Sequence, residues 1–373
     1  MKSLRTRTLV GALGAMVVMA CGGEDAALPP QTPPPPPPVT APEPPPAPPA
    51  PPPPAKPPLA DMIQESMQTA LGALNAHDAK KFASAYAENA EISVPGLNDV
   101  NGRAGVEANM NEWFQTFSKV KVGFNRVWMK DKIAVLEWVI QGTHSGELFG
   151  VKGKDNPIGH AGLSIVTFND DGKVQSEHRY GDLGTVATQL GLTKEKPKEI
   201  PAVPEATDVY KSKPESDAKS EAAAKAALAA FDKKNPADLD ALTQEDIEYH
   251  GLITSNTVKG RADLKKTFGA FYKAFPDAKM TPTLVAGVGE YAVVEYEMTG
   301  TQQGPIGTIK ATKKPVKLHA VDIMQFKDGK VSRVWTFRNS AELMQQLSMF
   351  NVAVVTPKAG GAAAPAAPPK KKK

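Results

Sequence analysis

The feature that most constrains the fold of this 373-residue chain is an internal repeat with a spacing of 158 residues. The matched positions are Gly102 with Gly260, Trp113 with Phe271, Glu137 with Glu295, Gly142 with Gly300, and Phe168 with Phe326. One extra residue in a turn of the first copy shortens the spacing to 157, so that Gly172 matches Gly329. A single register held over so many positions indicates a tandem duplication of one folding unit.

Each copy ends in a β-hairpin followed by a short helix. The turns Asn169-Asp170-Asp171-Gly172 and Lys327-Asp328-Gly329-Lys330 separate β-rich runs, and an Asp-Gly pair in such a turn favours a tight hairpin. Amphipathic helices come earlier in each copy, and Asp78 is expected to cap one of them. This order predicts an α+β fold, in which each copy is a cone-shaped domain made of a curved antiparallel sheet wrapped by three helices. Such a cone encloses a small-molecule pocket.

The composition outside the repeats divides the rest of the chain. Residues 1–21 have a basic start and an apolar centre that is short for a membrane span, which predicts a signal peptide. Residues 22–58 form a linker, where 20 of the 30 positions from Pro29 to Pro58 are proline; a passive polyproline spacer is favoured over a ligand for proline-binding modules. Domains are predicted at 59–192 and 217–355, with a linker at 193–216 and a disordered Lys-rich tail at 356–373.

Cys21 is the only cysteine in the chain, so an internal disulfide is not expected. It follows Val18-Met19-Ala20, and this ending resembles the bacterial lipoprotein signal, in which the cysteine is lipidated and becomes the mature N-terminus. The resemblance implies a protein anchored by lipid in the bacterial cell envelope, with Gly22 favouring the outer membrane. The alternative is an ordinary secreted protein with a stray cysteine.

The charge of the folded part argues against a nucleic-acid partner. The whole chain carries a net charge of +4, but three positive charges lie in residues 1–21 and five in residues 356–373. Without these segments the net charge is −4. Nucleic-acid binding requires the opposite, a basic surface.

Several motifs of the repeats resemble the SnoaL-like polyketide cyclases, a family of the nuclear transport factor 2-like superfamily. The motifs that carry the resemblance are Gly102-Arg103, Gly142-Thr143-His144-Ser145-Gly146, Glu177-His178-Arg179-Tyr180-Gly181-Asp182, Gln189-Leu190-Gly191 and, in the second copy, Phe275-Pro276-Asp277. In cyclases of this family a histidine and an aspartate at the end of the last strand face the pocket, and the aspartate is the general acid/base of an aldol closure. The resemblance therefore implies His178 and Asp182 as catalytic residues of the first copy.

Strand alternation is consistent with that assignment, because it places Ser176 and Tyr180 on one face together with the two candidates. A carboxylate on an apolar wall gains proton affinity, and a nearby imidazole can share the proton. Other roles stay open for both residues. Asp182 can cap the last helix, and His178 can be a core histidine with a hydrogen-bonded ring.

The second copy departs from this pattern. Trp335 stands at the position of His178, and Asn339 at the position of Asp182. Neither replacement moves a proton at neutral pH. The second copy is therefore expected only to bind a ligand or to play a supporting structural role, with Asp322 among its polar contacts. The residues expected to line the two pockets are Tyr86, Trp113, Ser176, Tyr180, Tyr296, His319, Trp335 and Phe337. Neither copy has the spacing typical of a metal site or a cofactor-binding motif, so no metal and no cofactor are predicted.

Together these features predict a lipid-anchored envelope protein whose two domains bind a small hydrophobic molecule. The first copy is expected to offer cyclase- or isomerase-type acid/base chemistry. The alternative is a non-catalytic binding or scaffold protein, because one copy lacks the acid and the chain has no cofactor motif. Sheets of the resembled superfamily commonly pair, which implies that the two copies pack sheet to sheet as a pseudo-dimer within one chain.

Overall fold

A computed structural model of the chain describes residues 56–97, 99–148, 150–193, 196–251, 257–307 and 309–349. The predicted signal peptide with Cys21, most of the proline-rich linker and the Lys-rich tail lie outside these residues. Both repeats belong to one unit that begins at Lys56. Within the described ranges, no helix combines the length and the apolar character needed to cross a bilayer.

The first half begins with helices and continues into long strands. Its elements are α1 (Leu59–Asn75), α2 (Ala79–Ala83), β1 (Tyr86–Ser93), β2 (Val100–Asn101), α3 (Gly102–Thr116), β3 (Phe117–Lys130), β4 (Ile133–His144), β5 (Glu147–Leu148), β6 (Val151–Lys152), β7 (Asn156–Phe168), β8 (Val174–Gly181), α4 (Leu183–Gln189) and β9 (Asp208–Lys211). Asp78 caps α2, because its carboxylate accepts a hydrogen bond from the Lys81 amide at 2.8 Å. Gly172 supplies the positive φ, +67°, that the turn between β7 and β8 requires.

The second half repeats this order. Its elements are α5 (Pro214–Lys233), a 3₁₀-helix (Pro236–Asp238), α6 (Leu239–Leu242), β10 (Thr243–His250), β11 (Val258–Lys259), α7 (Arg261–Ala274), β12 (Lys279–Val288), β13 (Tyr291–Thr301), β14 (Pro315–Lys327), β15 (Lys330–Arg338) and α8 (Ser340–Gln346). Pro236 opens the 3₁₀-helix, where its missing N–H removes no hydrogen bond. Asn339 caps α8 by accepting a hydrogen bond from the Ala341 amide at 3.2 Å.

Each half builds one long sheet. The strand order is β2-β1-β8-β7-β4-β3-β9 in the first sheet and β11-β10-β15-β14-β13-β12 in the second. The predicted α+β class, in two tandem copies, is confirmed. The sheets are not wholly antiparallel, since β1 pairs with β8 and β10 with β15 in parallel. Parallel pairing arises there because a helix and the whole meander, rather than a hairpin turn, connect the two strands.

The segment expected to be a plain linker contributes a strand. β9 pairs in parallel with β3, where Arg126 faces Asp208 at the start of the ladder. Tyr210 on β9 stacks on Trp128 with 5.7 Å between ring centroids and lies 4.6 Å from the ring of Tyr291 in the second half. The linker therefore covers the open edge of the first sheet and contacts both halves.

The two sheets pack against each other through their outer faces. The buried side chains shared by this interface are Trp128, Val135, Leu163, Ile165 and Tyr180 from the first half and Val288, Tyr291, Val293, Val321 and Ile323 from the second. Strand alternation explains the division, since Ala134 and Leu136 on either side of Val135 belong to the core of their own half. Arg126 also crosses the interface, with its guanidinium 3.8 Å from the ring centroid of Trp335.

Candidate functional site

A cavity of about 140 Å³ lies in the first half, between the sheet and the helices α1 and α3. The apolar part of its wall includes Met67, Leu74, Met110, Trp113, Phe124 and Trp138. Its polar lining residues are Ser66, Tyr86, Ser164, Glu177 and Arg179. Ser66 donates a hydrogen bond to the Gly172 carbonyl at 2.5 Å. The other polar side chains form one network.

The buried carboxylate of Glu177 is the centre of that network. Tyr86 and Ser164 donate hydroxyl hydrogen bonds to it at 2.6 and 2.7 Å. Arg179 binds both of its oxygens, Nε to Oε1 and Nη2 to Oε2, each at 2.8 Å. The Nε1 of Trp138 in turn donates to Ser164 Oγ at 3.1 Å. Four hydrogen bonds saturate the acceptor capacity of this carboxylate.

The same contacts set the protonation of the first cavity. Burial alone would raise the pKa of Glu177, but the charge and hydrogen bonds of Arg179, with those of the two hydroxyls, hold that pKa below its ordinary value. Burial and the charge of Glu177 raise the pKa of Tyr86 well above its ordinary value. The carboxylate is therefore ionised and the phenol neutral at pH 7. The network is a fixed ion pair and not a proton-transfer dyad.

Trp138 can form the wall of this cavity because Gly162 on β7 has no side chain. A Cβ at position 162 would overlap the indole and lie 2.7 Å from the carbonyl oxygen of Tyr180. His160 contacts the same indole edge-on, with 5.4 Å between ring centroids. The glycine thus gives the indole the space to lie across the strand.

A second cavity, of about 90 Å³, occupies the corresponding place in the second half. Its wall is mainly aromatic and aliphatic and includes Phe231, Tyr249, Phe268, Phe271, Tyr272 and Met324. Asp322 is a buried acidic residue on this wall. The cavity lies within the core of its own half, away from the interface between the sheets.

The carboxyl of Asp322 is held by neutral hydroxyl groups. Thr336 donates to Oδ1 at 2.6 Å, and the hydroxyl of Tyr296 donates to the same oxygen at 3.4 Å. Burial raises the pKa of Asp322 to about 6, and the two hydrogen bonds offset this only in part. Asp322 can therefore gain or lose a proton near neutral pH.

The polar groups of the two cavities lie partly at equivalent positions of the repeat. The counterparts, first half and then second half, are Ser164 and Asp322, Arg179 and Thr336, Trp138 and Tyr296, and Glu177 and Val334. The first cavity holds a neutralised ion pair, whereas the second is lined by the carboxyl residues Asp322, which is buried, and Asp238, which is partly exposed. In the part of the chain that the structure describes, no group of His, Cys, Asp and Glu is arranged to hold a metal ion.

The prediction that His178 faces a cavity is wrong. Its ring Nδ1 lies 2.6 Å from Oε1 of Glu295 in the second half, and Tyr180 donates to the same oxygen at 2.8 Å. Glu177 and Arg179, on the other face of β8, line the cavity instead. The side chains alternate along β8 with the expected period of two. The face of the strand that lines the cavity is, however, the face that was expected to point away from it.

Asp182 also contacts the second half and does not line either of these two cavities. Its Oδ1 accepts hydrogen bonds from the amide of Ser340, at 3.0 Å, and from the Ser340 hydroxyl. Its Oδ2 accepts one from Thr185 at 2.6 Å. Burial would raise the pKa of Asp182, but these hydrogen bonds keep it below its ordinary value. Since Ser340 is the first residue of α8, Asp182 satisfies an amide at the start of the other half's helix.

The remaining predicted pocket residues divide between cavity, core and interface. Tyr86 and Trp113 line the first cavity. The predicted residues that pack at the interface are Tyr180, Trp335 and Phe337. Ser176 lies on the face of β8 that is directed away from the cavity. Tyr296 is buried behind the carboxyl of the second cavity, and His319 contacts a carboxylate of α8 through Nδ1 at 2.7 Å.

Sequence reasoning assigned no role to Glu177 or Arg179 and only a contact role to Asp322. A signal for the first two was present, since opposite charges two residues apart on a strand share one face. A signal for the third was also present. Asp322 interrupts the apolar run of β14 between Val321 and Ile323, where an acid is rarely buried without a reason.

Comparisons with known proteins bear on both halves. A family model described as SnoaL-like polyketide cyclase matches residues 63–190 and 221–347. No curated protein matches the chain. Among solved structures, TsrD from Streptomyces laurentii is 21% identical over 36% of this chain and 97% of that chain, with a TM-score of 0.33. IdmH from Streptomyces antibioticus is 21% identical over 35% and 98%, with a TM-score of 0.32. A Catenulispora acidiphila protein with a ketosteroid isomerase-like fold is 15% identical over 35% and 94%, with a TM-score of 0.31.

Proposed function

The chain belongs to the SnoaL-like polyketide cyclase family in both of its halves, and on that premise we propose that its cavities bind small hydrophobic molecules and that the second performs cyclase- or isomerase-type proton transfer. The observation that carries this proposal is the buried carboxyl of Asp322, whose pKa of about 6 lies near neutrality. A group with such a pKa is present in both protonation states near pH 7, as general acid/base catalysis requires.

The proposed reaction begins with a bound carbonyl compound. Ionised Asp322 removes a proton from the carbon next to the carbonyl, which yields an enolate and a protonated carboxyl. In an unsaturated ketone, return of this proton to the far end of the dienolate shifts the double bond and isomerises the compound. When the enolate instead attacks a second carbonyl of the same molecule, a ring closes and the alkoxide that forms takes the proton back from the carboxyl. Because Thr336 and Tyr296 both bind Oδ1, Oδ2 is the oxygen that takes the proton.

The first cavity is proposed to bind without catalysis. Its Glu177 carboxylate already accepts four hydrogen bonds, and Arg179 keeps its pKa low. A carboxylate in this state is a weak base. The second candidate function is a non-catalytic binding protein in both halves, and this observation favours it for the first half.

We also propose that the protein is anchored by lipid at Cys21 in the bacterial cell envelope, with the proline-rich linker as a spacer. The support is the sequence Val18-Met19-Ala20-Cys21 after an apolar segment. The test is incorporation of a labelled fatty acid and fractionation of membranes. Cys21→Ala should abolish labelling and release the chain from the membrane fraction, and a variant that stays with the membranes contradicts the anchor.

Proton transfer by Asp322 is testable as hydrogen exchange at a carbon acid. A small cyclic ketone is incubated with the full chain in D₂O, and loss of its α-hydrogen signal is followed by NMR. We expect exchange above the buffer rate, rising with pH through about 6 as Asp322 ionises and level above that. Asp322→Asn should lower the protein-dependent rate by about 100-fold or more.

The matched control is Asp246→Asn, which removes a carboxyl from the exposed face of β10 next to the cavity-lining Ile247. This variant should exchange the ketone at the original rate. An undiminished rate in Asp322→Asn would refute catalysis by this carboxyl. Ketone binding without exchange in the unmodified chain would favour the non-catalytic candidate.

A further inference from the structure

We propose that the first cavity is a binding site for an apolar molecule of about one ring that carries an uncharged oxygen acceptor, such as a ketone, ester or amide carbonyl, and that Arg179 donates a hydrogen bond to this oxygen. The inference rests on the proposed binding role of the first cavity and adds the chemical class of its ligand. It is independent of the chemistry at Asp322.

The charged groups of this cavity wall have free hydrogen-bond donors but no free acceptors. The oxygens of Glu177 accept four hydrogen bonds, so they offer no acceptor to a ligand. The hydroxyls of Tyr86 and Ser164 use their hydrogens on the same carboxylate, and Trp138 uses its N–H on Ser164. An arginine has five N–H donors; Arg179 uses two of them on Glu177 and also interacts with the hydroxyl of Tyr86, which leaves further donors on the guanidinium. The guanidinium therefore retains donors for a ligand, and a ligand that uses them supplies an acceptor.

The charge of the wall selects an acceptor without charge. Glu177 and Arg179 neutralise each other, so the pair adds no net charge to the cavity. A carboxylate or an ammonium group on the ligand would introduce an unbalanced charge into surroundings that solvate it poorly. A carbonyl oxygen accepts a hydrogen bond from the guanidinium and avoids that cost.

The size and lining of the cavity restrict the rest of the ligand. Its volume of about 140 Å³ is close to the ~150 Å³ of an engineered apolar cavity that holds one benzene. The indoles of Trp113 and Trp138 form part of the wall, and an aromatic ring packs favourably against other aromatic side chains. A single substituted ring, and not a polycyclic compound, matches these dimensions.

The experiment compares three probes of similar size on the full chain: acetophenone, cumene and benzoate. Binding is followed by NMR through the indole N–H signals of Trp113 and Trp138, because these tryptophans line the first cavity and none lines the second. We expect acetophenone to bind about tenfold more tightly than cumene, which lacks the oxygen, and more tightly than benzoate.

The decisive variant is the double substitution Glu177→Val and Arg179→Thr, which installs the residue types of the second half and leaves no unpaired charge. It should bind cumene and acetophenone alike. The matched control, Glu248→Val with Arg333→Thr, removes an ion pair of the same type from the surface of the second half and should keep the original preference. A preference that survives in the decisive variant would overturn the role of Arg179.

The probe comparison on the unmodified chain decides the proposal even if the double variant does not fold. Equal binding of acetophenone and cumene overturns the inference but leaves the binding role of the first cavity intact. Tightest binding of benzoate overturns the uncharged acceptor. If none of the three probes shifts the indole signals, the binding role proposed for the first cavity fails with it.

Discussion

Glu177 and Asp322 are both carboxyl groups buried on a cavity wall, yet their pKa values move in opposite directions. Burial raises the proton affinity of each. At Glu177 the adjacent guanidinium of Arg179 outweighs burial, whereas Asp322 has only the hydroxyls of Thr336 and Tyr296. The repeat explains the difference through three positions: Thr336 stands where the first half has Arg179, while the acid itself lies at another position in each half, since Val334 matches Glu177 and Ser164 matches Asp322.

Asp322 also makes the stability of the protein depend on pH. Its folded-state pKa, about 6, lies above the ordinary value of 3.8, so the folded state binds a proton more tightly than the unfolded state. The free energy of unfolding should therefore fall as pH rises from about 4 to 6. Asp322→Asn removes this loss. The free energy of unfolding of the variant minus that of the unmodified chain should therefore be larger at pH 7 than at pH 4, by up to about 3 kcal/mol.

Urea unfolding at pH 4 and pH 7 measures this effect. Asp246→Asn, at an exposed site of the same half, is the control and should show almost the same stability difference at both pH values. If Asp322→Asn differs from the unmodified chain by the same amount at pH 4 and pH 7, the carboxyl does not titrate in that range.

The residues of the site were harder to predict than the fold. Alternation shows that Glu177 and Arg179 share one face of a strand and that His178 and Tyr180 share the other, but it does not say which face is inside. Charged residues are usually expected outside. Here the ion pair neutralises itself and lies inside, while the histidine meets Glu295 across the interface. That contact depends on the packing of the two halves, which strand alternation does not encode.

At the scale of elements, most of the fold could be predicted because the repeat shows the same order of helices and strands twice, in two different sequences. The Asp-Gly turns defined the last hairpins, and the strands followed from their β-branched runs. β9 was missed, since four residues in a Lys- and Pro-containing linker show no periodic pattern. Its strand conformation depends on the open edge of β3 and on the contact of Tyr210 with Trp128. These are tertiary contacts that a local pattern does not reveal.

The helices that follow the last strands tie the two halves together. Asp182, at the start of α4, accepts the amide hydrogen of Ser340 at the start of α8. Asn339, the repeat counterpart of Asp182, donates to the carbonyl of Pro95 at 2.9 Å in the first half. Equivalent residues thus form reciprocal but chemically different contacts. Asp182, to which the family resemblance assigned an acid/base role, holds one repeat against the other through these contacts.

At the scale of the whole molecule, the interface between the sheets has lost the symmetry of the duplication. Glu137 pairs with Arg126 within the first half, whereas its counterpart Glu295 pairs with His178 across the interface. The repeat position of His178 holds Trp335, and that ring receives the guanidinium of Arg126. Each half has therefore become specific for the other, since two copies of either half would not reproduce both contacts.

The contact between His178 and Glu295 should make the interface sensitive to pH. The hydrogen bond to Glu295 raises the pKa of His178 above 6.5, and partial burial opposes this less strongly. A raised histidine pKa stabilises the folded state fully below the unfolded pKa, and this stabilisation is lost as pH rises through the folded pKa. His178→Gln should therefore destabilise the chain more at pH 6 than at pH 9. Since about half of the imidazole is exposed, we expect a difference below about 1 kcal/mol.

Urea unfolding at the two pH values measures the effect of His178→Gln, with Tyr180→Phe as the matched control. Tyr180 donates to the same oxygen of Glu295 at 2.8 Å, and burial with the negative charge of Glu295 raises its pKa far above this range. Its loss should therefore cost the same at pH 6 and pH 9. An equal cost at both pH values for His178→Gln as well would mean that the imidazole contributes its hydrogen bond but not its charge, because only the charge changes between the two conditions.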